Sequence, residues 1–256
     1  MKGIIRWALN HIPRSWLQRM AGWAVPIMGL LHVGRGRKCP VCGTRRRKFL
    51  PYGYVSSRED ALCPQCLALE RHRMIWLWLE RNTDLFATRP RLLHIAPEVS
   101  LMRHLKRLYR GTEGYITADL ESPLADMHFD VQDIPMADRS VDVIICNHLL
   151  EHVADDRRAI GEFYRIMRHG GWGIMVVPED RNRTTTFEDD SITDPAERTR
   201  LFGQYDHRRI YGRDYDDRLR EAGFVVERIA FAQNLTEEER TLYAIGNDDL
   251  VVVRKH

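Results

Sequence analysis

The sequence lacks a hydrophobic run long enough to cross a membrane. Its uncharged stretch over residues 20–33 is shorter than the roughly 20 apolar residues that span a bilayer, and Pro26 interrupts it. No small-residue cleavage site precedes the first cysteine, which makes a secretory signal the weaker explanation of these residues. Internal repeats and low-complexity segments are absent as well. We therefore expect a globular protein in the cytoplasm.

The first part of the chain reads as an amphipathic N-terminal arm, which we place at residues 1–35. Trp7, Trp16 and Trp23 are mixed there with aliphatic side chains and a few cations. Indole and guanidinium groups are favourable at a membrane interface, so one interpretation is peripheral membrane contact through this arm. The other is an arm packed on the main domain or on a dimer partner. The sequence indicates no particular oligomeric state.

Positive and negative charges are separated along the chain. Residues 1–110 carry 21 Lys and Arg against 6 Asp and Glu, whereas residues 111–256 carry 18 against 30. A basic surface attracts anionic partners, so nucleic acid and an anionic membrane are both open, as is docking of the basic part on its acidic neighbour. The densest basic cluster surrounds the first cysteine pair and consists of Arg35, Arg37, Lys38, Arg45, Arg46, Arg47 and Lys48.

Four of the five cysteines form two Cys-x-x-Cys pairs, Cys39 with Cys42 and Cys63 with Cys66. Each pair supplies two thiolates from a tight turn, and the two pairs together can bind one ion. Four thiolates complete the coordination of Zn²⁺ and leave no position for water or substrate, so we predict a structural zinc site. Two disulfides are disfavoured in a cytosolic chain, and the Cys-Pro-x-Cys-Gly turn favours zinc over an iron–sulfur cluster. The predicted zinc module and its linking helix cover residues 36–82.

The remaining residues, 83–256, alternate short apolar runs with helical patterns. Such alternation predicts an α/β domain with a parallel sheet and helices on both faces, because parallel strands need crossover connections. A helix over residues 67–81 is expected to link the zinc module to it, and the last two strands are expected to form an antiparallel edge hairpin. The predicted strands are residues 92–95, 115–118, 127–131, 141–146, 172–177 and 225–230, with one more inside 241–253. Cys146 is predicted to be a buried core thiol.

Polar residues follow the predicted strands at their carboxyl ends, where ligands of open parallel sheets bind. Asp119 stands about 20 residues after the first strand's turn and is therefore the leading candidate for a ribose ligand. Further polar segments follow the first, third and fourth strands: residues 94–98, 133–135 and 147–152. Together these segments indicate a cofactor pocket. Each residue also has a plainer explanation, since Asp133 could cap a turn and Asn147 could satisfy backbone groups.

This ordered set resembles the class I S-adenosylmethionine-dependent methyltransferases over residues 91–253. The resemblance is carried by Asp133-Ile134-Pro135, by Asp138-Arg139-Ser140-Val141-Asp142, by Asn147 to Val153, and by the Gly170-Gly171 turn. It implies a Rossmann-like, mostly parallel seven-stranded sheet and an enzyme that uses S-adenosylmethionine. More narrowly, the chain looks like a bacterial subgroup with an N-terminal paired Cys-x-x-Cys module. The cofactor-binding residues that the resemblance implies are Ala96, Pro97, Glu98, Asp119, Leu120, Asp133, Ile134 and Asn147.

The first loop departs from the family pattern because it contains no glycine. The family carries a glycine-rich turn there, whereas this chain has His94-Ile95-Ala96-Pro97-Glu98. Glycine lets the backbone approach a ligand closely, so the expected consequences are a stiffer loop, a displaced methionine tail or a lost cofactor. Glu98 is a candidate for the cofactor's ammonium group, and its alternative is an acid that begins a helix.

The candidate catalytic bases are His152 and His207, because imidazole titrates near neutral pH. Their alternative roles are packing under a helix for His152 and membership of a lid for His207. The acidic stretch at residues 184–190 is expected to form a loop with solvated acids.

The predicted function is methyl transfer from S-adenosylmethionine to an unidentified acceptor, with a small molecule or a lipid-linked saccharide favoured. The alternative is a zinc-ribbon nucleic-acid-binding protein, or an RNA methyltransferase with a degenerate cofactor loop. No Asp/Asn-Pro-Pro-Tyr/Phe motif of the base-amino methyltransferases follows the fourth strand, so nucleic acid stays open but not favoured.

Overall fold

The computed structural model describes residues 32–53 and 57–256. The predicted N-terminal arm falls outside these residues, apart from its last four. Within the described part of the chain, no helix is both long and apolar enough to cross a membrane.

The first described unit contains two small antiparallel hairpins. Strand β1 (Val33–Lys38) pairs with β2 (Arg45–Arg46), and β3 (Leu50–Tyr52) pairs with β4 (Arg58–Leu62). The first cysteine pair lies in the turn between β1 and β2, and the second pair follows β4. Strand β1 begins inside the stretch that the sequence assigns to the arm.

Helix α1 (Glu70–Asn82) follows this unit, and α2 (Leu85–Thr88) leads into the sheet domain. Helix α1 begins three residues later than predicted, because Leu67 has a left-handed φ of 63° and its N–H donates to the carbonyl of Cys63 in the cysteine turn. Its buried apolar face carries Met74, Ile75 and Trp78, among others. This face covers one side of the central sheet as part of a continuous core.

Arg73 connects the first unit to the C-terminal part of the chain through hydrogen bonds. It is completely buried and lies over the Phe49 ring at 4.5 Å. Its guanidinium donates to five carbonyl oxygens, those of Asp60, Ala61, Ala68, Tyr243 and Ala244, at 2.5–3.2 Å. These acceptors come from β4, the second cysteine turn and the end of a C-terminal helix, so one buried cation joins three segments.

The central sheet has seven strands. They are β5 (Leu92–Ile95), β6 (Tyr115–Asp119), β7 (Met127–His128), β8 (Val141–Asn147), β9 (Met167–Val176), β12 (Val225–Ile229) and β13 (Leu250–Arg254). The intervening hairpin strands are β10 (Phe187–Glu188) and β11 (Arg209–Ile210). The later helices are α3 (Val99–Leu108), α4 (Asp156–Ile166), α5 (Pro195–Phe202), α6 (Tyr215–Glu221) and α7 (Glu237–Tyr243), with a 3₁₀ helix at Phe231–Asn234.

The strand order is β12-β13-β9-β8-β5-β6-β7, and only β13 runs antiparallel to both of its neighbours. Alternate residues of β5 face opposite cores: Leu92 belongs to the core under α1, and Leu93 belongs to the core under α4 and α6. The predicted Rossmann-like, mostly parallel seven-stranded sheet with helices on both faces is confirmed. Cys146 is 1% exposed, as predicted, and burial raises the pKa of its thiol well above the ordinary value.

The last two strands pair antiparallel at the edge of the sheet, as predicted, with Val225 opposite Arg254 and Ile229 opposite Leu250. They are not joined by a tight turn, because the connection contains the 3₁₀ helix and α7. Strand β12 is the edge strand, and β13 lies between β12 and β9 with the four residues of its apolar run 250–253 all buried. Such a run is stable as an interior strand with neighbours on both sides.

Candidate functional site

The four cysteines of the two turns come together as predicted. All four sulfur atoms lie within 4.8 Å of one another, with Cys39 Sγ 3.6 Å from Cys66 Sγ and Cys42 Sγ 3.9 Å from Cys63 Sγ. Four sulfurs bound tetrahedrally at about 2.3 Å from zinc lie about 3.8 Å apart. The cysteines therefore could hold one structural zinc ion, which leaves no coordination position for a substrate.

The first loop of the sheet domain, after β5, turns without glycine. Ala96 takes the positive φ of 46° that glycine normally supplies, and its N–H donates to the carbonyl of Ala118 at 2.8 Å. The chain then passes through Pro97 to Glu98, the N-cap residue of α3. The loop thus keeps a tight turn at the cost of backbone strain.

Glu98 is the centre of a group that we call the Glu98 cluster, which consists of Glu98, His94, Asn147 and His72. Glu98 Oε2 lies 2.8 Å from His94 Nε2, and Glu98 Oε1 accepts a 3.2 Å hydrogen bond from Asn147 Nδ2. His72 Nε2 of α1 is 3.6 Å from the same Oε1. Sequence analysis singled out the residues from β5 and β8 but not His72. The helix that follows the cysteines therefore contributes to the edge of the sheet.

Hydrogen bonds and burial determine which nitrogen of His72 carries a proton and whether Glu98 is ionised. The backbone N–H of Leu69 donates to His72 Nδ1 at 3.2 Å, so the neutral His72 ring carries its proton on Nε2, facing Glu98. Burial lowers the pKa of His72 to about 3. Burial by itself would raise the pKa of Glu98, but the hydrogen bond from His94 and the neighbouring histidine charges outweigh it and hold that pKa well below its ordinary value. Glu98 is therefore an anion at neutral pH.

Two atoms of the Glu98 cluster are buried and have no hydrogen-bond partner among the described residues: Asn147 Oδ1 and His72 Nε2. One is an acceptor and the other a donor. A zwitterionic amino acid group supplies the complementary ammonium and carboxylate, with Glu98 as a further acceptor for the ammonium. The cluster thus fits the methionine part of S-adenosylmethionine, and here the backbone of a glycine-rich turn is replaced by side chains.

The residues expected to bind the nucleoside part of the cofactor begin at the end of β6, at the same edge of the sheet. Asp119 Oδ1 accepts hydrogen bonds from the N–H groups of Glu121 and Ser122 at 2.9 and 2.8 Å, which fixes its carboxylate. Leu120 beside it is 63% exposed, and an exposed apolar side chain next to a ribose-binding acid fits an adenine ring. These two residues therefore suit an adenosine group.

Asp133 and Ile134 lie further along. Asp133 is exposed, and Ile134 is buried with its N–H donating to Glu162 Oε2 at 2.8 Å, so that N–H is already used. Asp130 is the first acid after the carboxyl end of β7, and it is also exposed. The strand predicted over residues 127–131 included Asp130, and only the observed end of β7 at His128 places this acid after the strand.

A second carboxylate, which is buried, follows Asn147 by four residues in the turn after β8. We call it the Glu151 cluster, formed by Glu151, His152 and His207, with His148 beside it. The ligand-type atoms of Glu151, His152 and His207 all lie within 4.8 Å of one another. Glu151 is 1% exposed, and neither of its carboxylate oxygens has a hydrogen-bond partner among the described residues. The structure thus brings the two predicted bases together around an acid that sequence reasoning missed. The spacing His148-x-x-Glu151-His152 was the available signal, because a turn that follows a strand can gather such residues.

The Glu151 cluster is held in place by a network of buried charges. Arg209 is 3% exposed and donates to the carbonyls of Leu150 and Val153, and to Glu188 Oε2 at 2.7 Å. Arg218 joins Glu188 to the buried Asp156 at the start of α4. The prediction of a loop is wrong for Glu188, since it lies in β10, and this acid pairs with two arginines while its side chain is 42% exposed. The network fixes the hairpin β10–β11, and with it the segment that carries His207.

Comparison with known proteins bears on this geometry. Residues 100–175 match the family model described as "Methyltransferase domain", and this match runs from α3 to β9. The chain carries a class I methyltransferase domain. S-adenosylmethionine is the cofactor of such domains, so the protein is an enzyme that uses this cofactor. No curated protein matches the chain.

Solved structures similar to this chain include S-adenosylmethionine-dependent methyltransferases. One from Mesorhizobium loti has 15% sequence identity and a TM-score of 0.49, and the alignment covers 71% of this chain and 98% of that one. One from Archaeoglobus fulgidus has 15% identity and a TM-score of 0.43, with 70% and 92% covered. The protein YcgJ from Bacillus subtilis has 13% identity and a TM-score of 0.43, with 65% and 92% covered.

Proposed function

We propose that the methyltransferase methylates a hydroxyl oxygen of a polar acceptor, either a small molecule or a saccharide, free or linked to a lipid. The observation that carries this proposal is the position of the Glu151 cluster. Asn147, which adjoins the methionine side of the cofactor site, directly precedes His148, whose Nδ1 is 3.4 Å from Glu151 Oε1. The acceptor side of the pocket is therefore lined by groups that bind and take protons.

The cofactor supplies a methyl group already activated by a sulfonium, so the protein's task is alignment of the acceptor and removal of its proton. His207 donates from Nδ1 to the carbonyl of Phe202 at 3.0 Å, which leaves the Nε2 lone pair free. His152 Nδ1 lies 3.3 Å from the carbonyl of Asp206, and its Nε2 is likewise free, at 3.9 Å from Glu151 Oε1. Either ring is thus held in the tautomer of a general base.

A saccharide is favoured by the surface around this wall. Tyr205 is 59% exposed next to Asp206, and an exposed aromatic ring beside polar side chains is a common platform for the apolar face of a sugar. His148 and His152 are each partly exposed and add hydrogen-bonding groups.

An RNA acceptor is the second candidate, and the basic cluster of the zinc module favours it. Arg35, Arg45, Arg47 and Lys48 are exposed, and no ion pair joins them to an acid among residues 32–53 and 57–256. Docking on the acidic sheet domain therefore does not neutralise them. Peripheral membrane contact through residues 1–35 is a further proposal that would bring a lipid-linked acceptor to the site.

Calorimetric titration with S-adenosylmethionine and S-adenosylhomocysteine tests the cofactor site. We expect binding by the wild type and an affinity about tenfold lower in Asp119→Asn, the loss of one good ribose contact. Asp130→Asn and Asp133→Asn form a matched pair that decides which acid faces the adenine. An absence of heat with both ligands at high protein concentration would contradict the cofactor site of this chain.

The acceptor is tested separately, by transfer of label from methyl-tritiated S-adenosylmethionine. Three acceptor pools are compared: nucleoside-diphosphate sugars, lipid-linked saccharides in anionic vesicles, and total RNA. We expect label in a saccharide pool. Label in RNA alone, at rates that fall steeply as salt is raised, would replace the saccharide proposal by the nucleic-acid one.

A further inference from the structure

The Glu151 cluster has an unusual charge arrangement for a protein interior. A buried carboxylate normally accepts hydrogen bonds from donors around it, because burial of an unpaired charge is costly. Glu151 instead has two oxygens without a hydrogen-bond partner in the described part of the chain, although it is 1% exposed. Three imidazole rings lie around the carboxylate: His148 Nδ1 is 3.4 Å and His152 Nε2 is 3.9 Å from Glu151 Oε1, and a ring nitrogen of His207 lies within 4.8 Å of the carboxylate.

Two of these rings turn an acceptor nitrogen toward Glu151. The Nδ1–H groups of His207 and His152 are held by the backbone carbonyls of Phe202 and Asp206. Asp206 Oδ2 adds a second contact to His152 Nδ1 at 3.5 Å. The Nε2 lone pairs therefore cannot be satisfied by Glu151, which is itself an acceptor. The two ring centroids lie 4.8 Å apart, so both rings border the same space.

We infer that the Glu151 cluster is a second metal site, in which Glu151, His152 and His207 bind a divalent transition-metal cation. A carboxylate and two neutral imidazoles converging on one point are a common donor set for Zn²⁺, Fe²⁺, Co²⁺ and Mn²⁺. Carbonyl and carboxylate partners on the outer ring nitrogens are the usual orienting contacts of metal-bound histidines. A cation would satisfy both carboxylate oxygens and both lone pairs together.

The surroundings favour a bound cation over protonated histidines. The Nδ1–H of His207 is held by the carbonyl of Phe202 at 3.0 Å, so the neutral ring presents a free Nε2 lone pair, as a metal ligand requires. His148 offers a fourth donor at the rim, with its backbone held at a positive φ of 51°. The fourth position would be accessible, because the His148 and His152 side chains are 30% and 28% exposed.

Metal binding here can be measured in the absence of S-adenosylmethionine and of any acceptor, but it bears directly on the proposed methyl transfer. It would engage the same lone pairs that a general base needs, so metal occupancy and the base roles of His152 and His207 exclude each other. The site is also distinct from the cysteine site in its chemistry, with nitrogen and oxygen donors instead of sulfur. This difference allows the two to be measured in one protein.

The test uses the full chain loaded with one equivalent of zinc at the cysteines. Titration with further Zn²⁺ is expected to give one more binding event per chain. Titration with Co²⁺ is expected to give visible ligand-field bands without the thiolate-to-cobalt charge-transfer bands of a cysteine site. Glu151→Gln and His207→Asn are expected to weaken the second event at least tenfold, whereas the surface controls Glu113→Gln and His169→Asn leave it unchanged.

Two results would overturn the inference. One is a wild-type protein that takes up a single zinc ion and shows no second event at zinc concentrations far above that of the protein. The other is a second event that keeps its affinity in folded Glu151→Gln and His207→Asn proteins. The wild-type stoichiometry decides even where a variant fails to fold, and circular dichroism establishes folding in each case.

Discussion

Glu98 and Glu151 are carboxylates at the same edge of the sheet, each among histidines and with 15% and 1% exposure, yet their hydrogen bonding differs. Glu98 accepts hydrogen bonds from His94 and Asn147 at 2.8 and 3.2 Å. The two carboxylate oxygens of Glu151 have no hydrogen-bond partner within residues 32–53 and 57–256. A satisfied carboxylate stabilises the fold around it, whereas an unsatisfied one costs stability until a ligand arrives.

The difference also separates positioning from ligand binding within one pocket. The Glu98 cluster connects α1 and the sheet through His72, and its carboxylate is already hydrogen-bonded, so only Asn147 Oδ1 and His72 Nε2 are left without a partner in the described residues. The Glu151 cluster offers the whole carboxylate and two imidazole nitrogens. The helix that links the zinc module to the sheet therefore contributes His72 to the Glu98 cluster. The Glu151 cluster is formed by the methyltransferase domain alone.

The largest expected effect comes from Glu98→Ala. Removal of the carboxylate leaves the donors of His94 and Asn147 buried without acceptors, so the free energy of unfolding should fall by about 3 kcal/mol. The midpoint of thermal unfolding should fall by about 10 °C. Urea unfolding and a thermal melt measure the two quantities. Glu151→Ala is the matched control and should cost about 1 kcal/mol or less. Equal losses in the two variants would remove the contrast between the clusters.

The next largest effect is the pH dependence of the free energy of unfolding that the titration of His72 causes. The charged or titratable groups around this ring are Glu98, Arg71, His148 and Arg73. Its folded-state pKa of about 3 lies below the ordinary value of 6.5, so the unfolded state binds the proton more readily. The stability that depends on neutral His72 is complete above pH 6.5 and is lost as pH falls toward 3. This window lies above that of Glu98, whose depressed pKa removes stability only below about pH 4.5.

Between pH 7 and pH 5 the loss from His72 alone is on the order of 2 kcal/mol, since 1.5 pH units correspond to about 2 kcal/mol. Urea unfolding at the two pH values measures it. His72→Gln should be less stable at pH 7 but should lose about 2 kcal/mol less on acidification. His169→Gln, at the surface, should follow the wild type. Parallel pH profiles for the wild type and His72→Gln would place His72 outside the buried cluster.

A smaller effect, of opposite sign, is expected for Glu151→Gln. The substitution removes a buried charge and preserves the shape of the side chain, so protein with zinc only at the cysteines should gain up to about 1 kcal/mol in urea unfolding. Added Mn²⁺ should stabilise the wild type and leave the variant unchanged. A clear loss of stability in the variant without metal would mean that Glu151 is already well paired.

Much of this architecture could be predicted from the sequence, because it follows from local signals. The strand at residues 92–95 was predicted with the bounds that the structure has, since Arg91 precedes its apolar residues and Pro97 follows closely, and proline does not continue an interior strand. The cysteine spacing likewise predicted the converging sulfurs. Contacts between distant segments could not be predicted this way. His72 meets Glu98 across 26 positions, and Glu188 meets Arg218 across 30, and no periodicity encodes either pairing.

The first loop provides the smallest test, through Ala96→Gly. Ala96 holds a φ of 46°, which is unfavourable for alanine and ordinary for glycine, so relief of strain should stabilise the fold. The greater entropy of glycine in the unfolded chain opposes this gain. The free energy of unfolding in urea should therefore rise by a few tenths of a kcal/mol in the variant, about a tenth of the Glu98→Ala effect.

Gly111→Ala is the control, because it makes the reverse substitution at a residue with a positive φ. The φ of Gly111 is 81° and there is open space around the added methyl group, so this variant tests the backbone conformation alone. It should be destabilised by about 1 kcal/mol. If Ala96→Gly instead weakened S-adenosylmethionine binding while it left stability unchanged, the stiffness of this loop would serve to position Glu98 for the cofactor.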